Sequence, residues 1–141
     1  MWDTAAFNTR MRAITGTTSA EVGVAVRNTV TQWQRDAQAS MTQSHSRGTP
    51  TSSSPGSPPA VISGTLRRSI TSSTVSRVGT AWMATVSASS VYARVQELGG
   101  ATGRNHATIL PPRPYFGPQR AHAQQRLAAE LRAAWVRTIR A

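Results

Sequence analysis

The chain has 141 residues, no cysteine and 38% hydrophobic residues, which suits one domain around a modest core and excludes disulfides, thiolate metal sites and cysteine nucleophiles. Sixteen basic residues against five acidic ones leave a net charge of +11, which calls for a counterpart: DNA, an acidic partner or plain solvation. All sixteen are arginine; the bland reading of the missing lysine is codon bias in a GC-rich genome.

No apolar run is long enough to cross a bilayer, and Met1-Trp2-Asp3 lacks the regions of a signal peptide. A soluble chain made in a cytoplasm, with no membrane partner, is expected. Phe7, Met11 and Ile14 fall at helical spacing, so 1–17 reads as a short helix or arm that a turn at Gly16 ends. Thr18-Ser19-Ala20-Glu21 then has the pattern of a capping box, because a hydroxyl and a carboxylate can satisfy the free amides of a helix start. Behind it Val22, Val26, Val30, Trp33, Ala37 and Met41 recur every three to four residues, which predicts a long amphipathic helix from about Ser19 to Met41.

Residues 42–60 are rich in Ser, Thr, Pro and Gly and predict a flexible surface loop. Gly64 to Ile70 suits a short helical turn carrying Arg67 and Arg68. A Ser/Thr/Val-rich run from Ser69 to Val78, a tight turn at Val78-Gly79-Thr80 and alternating Trp82, Ala84, Val86 and Ala88 predict a β-hairpin with one buried face. For Val91 to Leu98, alternation gives a strand and composition gives a helical turn; the periodicity does not decide. Gly99 to Asn105 reads as a second loop and Ala107 to Leu110 as a strand stopped by Pro111-Pro112. Pro118 fits the first turn of a last helix, in which Leu127, Leu131, Trp135 and Ile139 form a stripe with Arg126, Arg137 and Arg140 near the opposite face. The expected fold is α+β in a single domain: a long N-terminal helix, a small antiparallel sheet and a C-terminal helix, with 18–141 as the domain proper.

The inventory for catalysis is poor. His45, His106 and His122 lack helical partners for a metal site and read as solvated imidazoles. No Gly-x-Ser-x-Gly elbow accompanies the many serines. Of the acids Asp3, Glu21, Asp36, Glu97 and Glu130, Glu21 is taken up by the cap and Glu130 by a helix surface, which leaves little for acid–base work and makes a small hydrolase the weakest of the functional classes. Gly99-Gly100-Ala101-Thr102-Gly103-Arg104 lacks the Gly-Lys-Ser/Thr ending of a phosphate loop. No catalytic residue, cofactor or metal is therefore expected. The arginines carry the functional signal, through bidentate pairing with phosphate or carboxylate, but no familiar DNA-reading motif accompanies them. A basic nucleic-acid-binding protein is the alternative this leaves open.

Three ordered segments resemble a phage family. Pro58-Pro59-Ala60-Val61-Ile62-Ser63-Gly64-Thr65-Leu66-Arg67-Arg68-Ser69-Ile70 is similar to the "Thr-Gly-x-Leu-Arg-x-Ser-Ile" signature of phage neck and tail-completion proteins, with Ser63 in place of the usual Thr. Tyr92-Ala93-Arg94-Val95-Gln96-Glu97-Leu98-Gly99-Gly100 resembles that family's "Tyr-Ala … Glu/Gln-x-Gly" segment. Leu110-Pro111-Pro112-Arg113-Pro114-Tyr115-Phe116-Gly117-Pro118 is similar to its "Pro-x-Arg-Pro-Phe-x-x-Pro" run before the final helix. The match spans roughly residues 18–140. Head–tail joining proteins and tail-completion or tail-terminator proteins fit about equally.

The resemblance implies a virion protein of the head–tail junction, assembled in the host cytoplasm. It implies a hexameric ring between a head-closure or stopper protein and the tail terminator or tail tube, with DNA passing through the centre and no turnover. The candidates for the subunit interface or DNA channel are Arg67, Arg68, Glu97, Arg113, Arg126, Arg137 and Arg140. Glu97, a rare acid in a basic chain, is expected to pair with an Arg of the same or the next subunit, and Arg113 to be held on a stiff connector. Gly64, Leu66, Tyr92, Gly99, Pro114 and Phe116 are the structural motif residues. Gly64 is expected to permit a chain reversal, and Tyr92 and Phe116 to pack in the core.

Overall fold

The computed structural model describes residues 4–44 and 53–140. His45 and the middle of the Ser/Pro-rich segment lie outside them. The architecture is α+β in one domain. Helix α1 (Thr4–Ser40) leads to a one-turn helix α2 (Thr65–Arg68). Strands β1 (Ile70–Ser72), β2 (Ser76–Val78), β3 (Ala81–Met83) and β4 (Val86–Ala88) follow, then α3 (Ala93–Leu98), β5 (Gly100–Thr102), β6 (Thr108–Leu110) and α4 (Gly117–Arg140). All three strand pairings are two-stranded and antiparallel.

Helix α1 is continuous through Gly16, about 55 Å long at 1.5 Å per residue. The expected turn and capping box are absent. Thr18 returns its hydroxyl to the Ile14 carbonyl at 2.7 Å, and Thr15 and Thr17 bond back along the helix in the same way, so the hydroxyls that suggested a helix start are satisfied within the helix. Glu21 reaches across to Arg137 instead. A mid-helix glycine costs about 1 kcal/mol, and the helix runs through it alongside α4, with Glu21 tied to Arg137 and Thr138 buried. The 1–17 segment is thus no separate arm where it is described.

The expected α1 stripe holds: Val30, Ala37 and Met41 are buried, and Val22, Val26 and Trp33 half-buried. The α4 stripe does not. The residues of α4 that bury are Ala123, Ala134 and Thr138, and small side chains let the two helices approach closely. Leu127 and Leu131 are half-buried, while Trp135 and Ile139 are 55% and 61% exposed. A strict i, i+4 repeat drifts by about 40° per step on a helix, so Leu127 and Leu131 stay beside Ala123, Ala134 and Thr138 on the buried side while Trp135 and Ile139 turn out of it.

The 70–88 hairpin forms as expected, turning at Gly79-Thr80 with Gly79 at φ +61°. Its two ladders are separated by a break where the Ser73 amide bonds the Thr85 carbonyl at 2.8 Å and the Ser73 hydroxyl accepts the Thr85 amide at 3.0 Å. Trp82, Ala84, Val86 and Ala88 are each half-buried and their neighbours exposed. Near the tip, Trp82 lies over Gly23 of α1, where a Cβ would stand 3.1 Å from the ring, and donates its indole N–H to the Ser19 hydroxyl at 3.2 Å.

Two sequence expectations change further along. Residues 93–98 take the helical option. Gly100–Thr102, expected as loop, pairs with Thr108–Leu110 as a hairpin closed by a 3-10 turn at Arg104–His106. The core gathers Ala37, Met41, Ile70 and Tyr115, with Val61, Leu66, Val86, Ala88 and Phe116 around it. Phe116 stacks on Trp33 at 4.9 Å between ring centroids.

Two glycines of α1 respond oppositely to a methyl group. Around Gly16 a Cβ would meet nothing within 4 Å, so Gly16→Ala should raise stability by about 0.5–1 kcal/mol. Gly23→Ala should lower stability, by about 1–3 kcal/mol, because it pushes Trp82 off α1. Thermal unfolding of both variants checks the pair.

Candidate functional site

The three motif segments converge on one place. Ile70, at the end of the first, is fully buried against Tyr115 and Met41, with Leu66 packed behind it. Gly64 takes φ +72° at the start of α2, the chain reversal expected of it. The second segment becomes α3 and the third becomes the connector into α4.

The join between those two is made by Glu97. Its carboxylate accepts three backbone N–H groups at the start of α4: Tyr115 at 2.9 Å and Phe116 at 3.0 Å on Oε2, and Gly117 at 2.7 Å on Oε1. Helix starts carry unsatisfied amides and a partial positive charge, so a carboxylate from a distant element serves as the cap. A Cβ on residue 117 would sit 2.8 Å from Glu97 Oε1, which explains glycine there, and Pro118 needs no partner because it has no N–H. Within the described chain Glu97 therefore pairs with amides and not with an arginine.

The connector is held from both sides. The Arg113 amide bonds the Gln96 carbonyl at 2.8 Å, and the Gly56 amide bonds the Pro112 carbonyl at 2.9 Å. Gly99, at φ +72°, passes so close that a Cβ would stand 2.9 Å from the Leu110 carbonyl oxygen. Arg113 is 7% exposed and donates Nε–H to the Ser53 carbonyl at 3.1 Å. It is a buried tie, not an outward interface group. It also draws in 53–60, whose Ser53 and Pro59 are buried, so that end of the expected flexible loop is packed. Pro114 is half-buried in the same connector.

The remaining arginine candidates divide. Arg126 and Arg137 face α1: Arg126 pairs with Asp36 at 3.1 Å and Arg137 with Glu21 at 2.7 Å. Neither projects away as expected, and each partly exposed pair contributes about 0–1 kcal/mol. Arg67, Arg68 and Arg140 are exposed and pair with no carboxylate among the described residues. Tyr92, expected in the core, is 62% exposed. His106 and His122 are exposed, and no cluster of metal-ligating side chains occurs among the described residues. The amide-capping role of Glu97 had one sequence signal, a lone acid two residues before a glycine, but nothing local pointed it at residues 115–117.

Tyr115 is the largest fully buried side chain of this junction. Burial, and then the charge of Glu97, push its phenol up to about 12. The folded state thus holds a proton that the unfolded chain releases near 10. Stability should be intact below pH 10, fall between about pH 10 and 12 at up to about 1.4 kcal/mol per unit, and level above that. Denaturant titrations of wild type and Tyr115→Phe check this; the variant should lack the added slope. Removing the cap is costlier. Glu97→Ala should destabilise by about 2–4 kcal/mol and Glu97→Gln by less, because an amide can still accept through one oxygen; urea midpoints report the order.

No described helix is long and apolar enough to cross a membrane. Comparison of the chain with protein-family models, with curated proteins and with solved structures finds no match.

Proposed function

We propose that this chain is a structural protomer of a tailed-phage neck. Copies assemble head-to-tail into a ring, hexameric by the family resemblance, that joins the head-closure complex to the tail tube and lets DNA pass. On this reading it turns over no substrate. Its partners are its own copies, a head-closure or stopper protein, a tail terminator or tail tube protein, and the DNA.

The observation that carries the reading is an apolar knob formed just before α3 and on the β5–β6 hairpin. Val91 is 86% exposed and lines a shallow groove with Ala101, Val95 and Arg94. Ile109, 73% exposed, is directly cross-strand from Ala101, so their side chains share a face. A two-stranded hairpin is marginal in water by itself, and an apolar face on one suits a subunit contact. Ion pairs between copies have few acids to draw on. Glu21 and Asp36 are committed to arginines and Glu97 to backbone amides. Apolar contact is the cohesive force that remains for a ring, and a heterologous contact of fixed rotation closes one.

Native mass spectrometry of the purified chain should show a closed multimer, and Ile109→Asp should weaken assembly at least about tenfold while leaving the circular dichroism unchanged. A wild-type chain that stays monomeric and is absent from purified virions would sink the proposal.

A second reading, nucleic-acid binding, draws on the arginines. Apart from Arg113, Arg126 and Arg137, every described arginine is exposed and pairs with no described carboxylate. This reading expects the isolated chain to bind duplex DNA with an affinity that falls steeply with salt. Fluorescence anisotropy at two salt concentrations separates the two, since the ring reading requires no such affinity of the monomer.

A further inference from the structure

The rotated stripe of α4 leaves an apolar surface at the far end of the molecule from the knob. Trp135 lies about 27 Å along α4 from Gly117, at 1.5 Å per residue. There it faces the N-terminal half of α1. Met11, Ile14, Val22, Trp135 and Trp82, from the tip of the β2–β3 hairpin, line a cleft of about 340 Å³ to which Thr15, Thr18, Ser19 and Thr80 add hydroxyls. Ile14 also borders a second groove, of about 240 Å³, formed with Ala13, Thr138 and Ile139. Phe7 continues the same α1 face one turn beyond Met11 and is exposed.

The rim is of one sign. Arg77 lines the first groove and Arg10 the second, and Arg140 follows Ile139 at the end of α4. No carboxylate lines either groove. The acid nearest in contact terms, Glu21, is held by Arg137 through two hydrogen bonds of 2.7 and 3.2 Å. Arg77 also lies 5.8 Å from the Trp82 ring, which keeps that guanidinium at the cleft mouth. Tryptophan, methionine and arginine around a concave apolar floor are the residue types that dominate protein interfaces.

We infer that this cleft is a docking site for an acidic amphipathic segment of another protein. The occupant follows from charge. The floor accepts an apolar stripe, and the rim asks for carboxylates on both flanks. A second copy of this chain is poorly supplied with them: among its described acids, Glu130 is the one not already committed to an arginine or to a helix start. Duplex DNA would satisfy the rim but leave the apolar floor open. The inference does not need the ring reading, and the knob that carries that reading lies at the opposite end of α4.

The test is a display selection of random sixteen-residue peptides on the immobilised full-length chain. The enriched peptides should combine an apolar stripe at helical spacing with a marked excess of Asp and Glu. Trp135→Ala, at an exposed position, should weaken the selected peptides at least about tenfold, and the double charge reversal Arg10→Glu, Arg77→Glu should do the same. Ile109→Asp should leave their binding unchanged, which separates this site from the proposed ring contact. Absence of enrichment, enrichment of basic or uncharged sequences, or indifference to Trp135→Ala would overturn the inference. So would dissociation of a multimer by Trp135→Glu, which would give the cleft to a second copy. Loss of DNA affinity in Trp135→Ala without peptide enrichment would give it to nucleic acid, with the same consequence.

Discussion

Three backbone amides that have no partner within their own helix are satisfied by one carboxylate from another element, and the folded domain hangs on that arrangement. The amides of residues 115–117 stand at the start of α4, where Pro118 interrupts the donors and Gly117 leaves room for an oxygen. Glu97 supplies that oxygen from the last turn of α3. Once α3 is fixed to α4, Tyr115 and Phe116 are set into the core, Phe116 against Trp33 and Tyr115 against Ile70 and Met41. Glu97 is half-buried, and three donors compensate its carboxylate for the water it gives up.

The same economy governs the rest of the charge. A chain with five acids and sixteen arginines has few carboxylates to spend. The described structure spends three of them on internal ties, two between α1 and α4 and one at the α3–α4 junction. What is left outward is positive and apolar. Two of its apolar patches lie on the β5–β6 hairpin at one end of α4 and around Trp135 at the other. A thin core and two separated apolar faces suit a protein whose folded unit is completed by other molecules.

The signature segments turn out to be scaffold. Gly64, Leu66, Ile70, Glu97, Gly99, Arg113 and Phe116 act by letting segments approach or by satisfying buried groups, and Arg113 does so from inside. Residues of this kind tie a sequence pattern to a fold, whereas the surfaces that would choose partners lie elsewhere: Val91 and Ile109 at one end, Met11 and Trp135 at the other. None of these four stands out by motif.

Local pattern determined a good deal. The 3.6-residue recurrence of Val22 to Met41 marked the buried face of α1, the alternation from Trp82 to Ala88 marked the half-buried face of the hairpin, and Gly79 and Pro118 marked a turn and a helix start. These depend on neighbours in the chain and are legible there. Three other matters depended on neighbours in space. Gly16 and the hydroxyls beside it looked like a helix boundary, but α1 runs on through them alongside α4 and the hydroxyls bond back to its own carbonyls. Which end of the α4 stripe was buried was settled by the line along which α4 meets α1, which keeps Leu127 and Leu131 and leaves Trp135 and Ile139 outside. The partners of Glu97, Arg126 and Arg137 lie roughly 20 to 116 residues away in the chain, at distances that no spacing rule encodes. The sequence alone determined the elements and the excess of positive charge; the tertiary structure decided which charges were spent inside and which apolar side chains were left without cover.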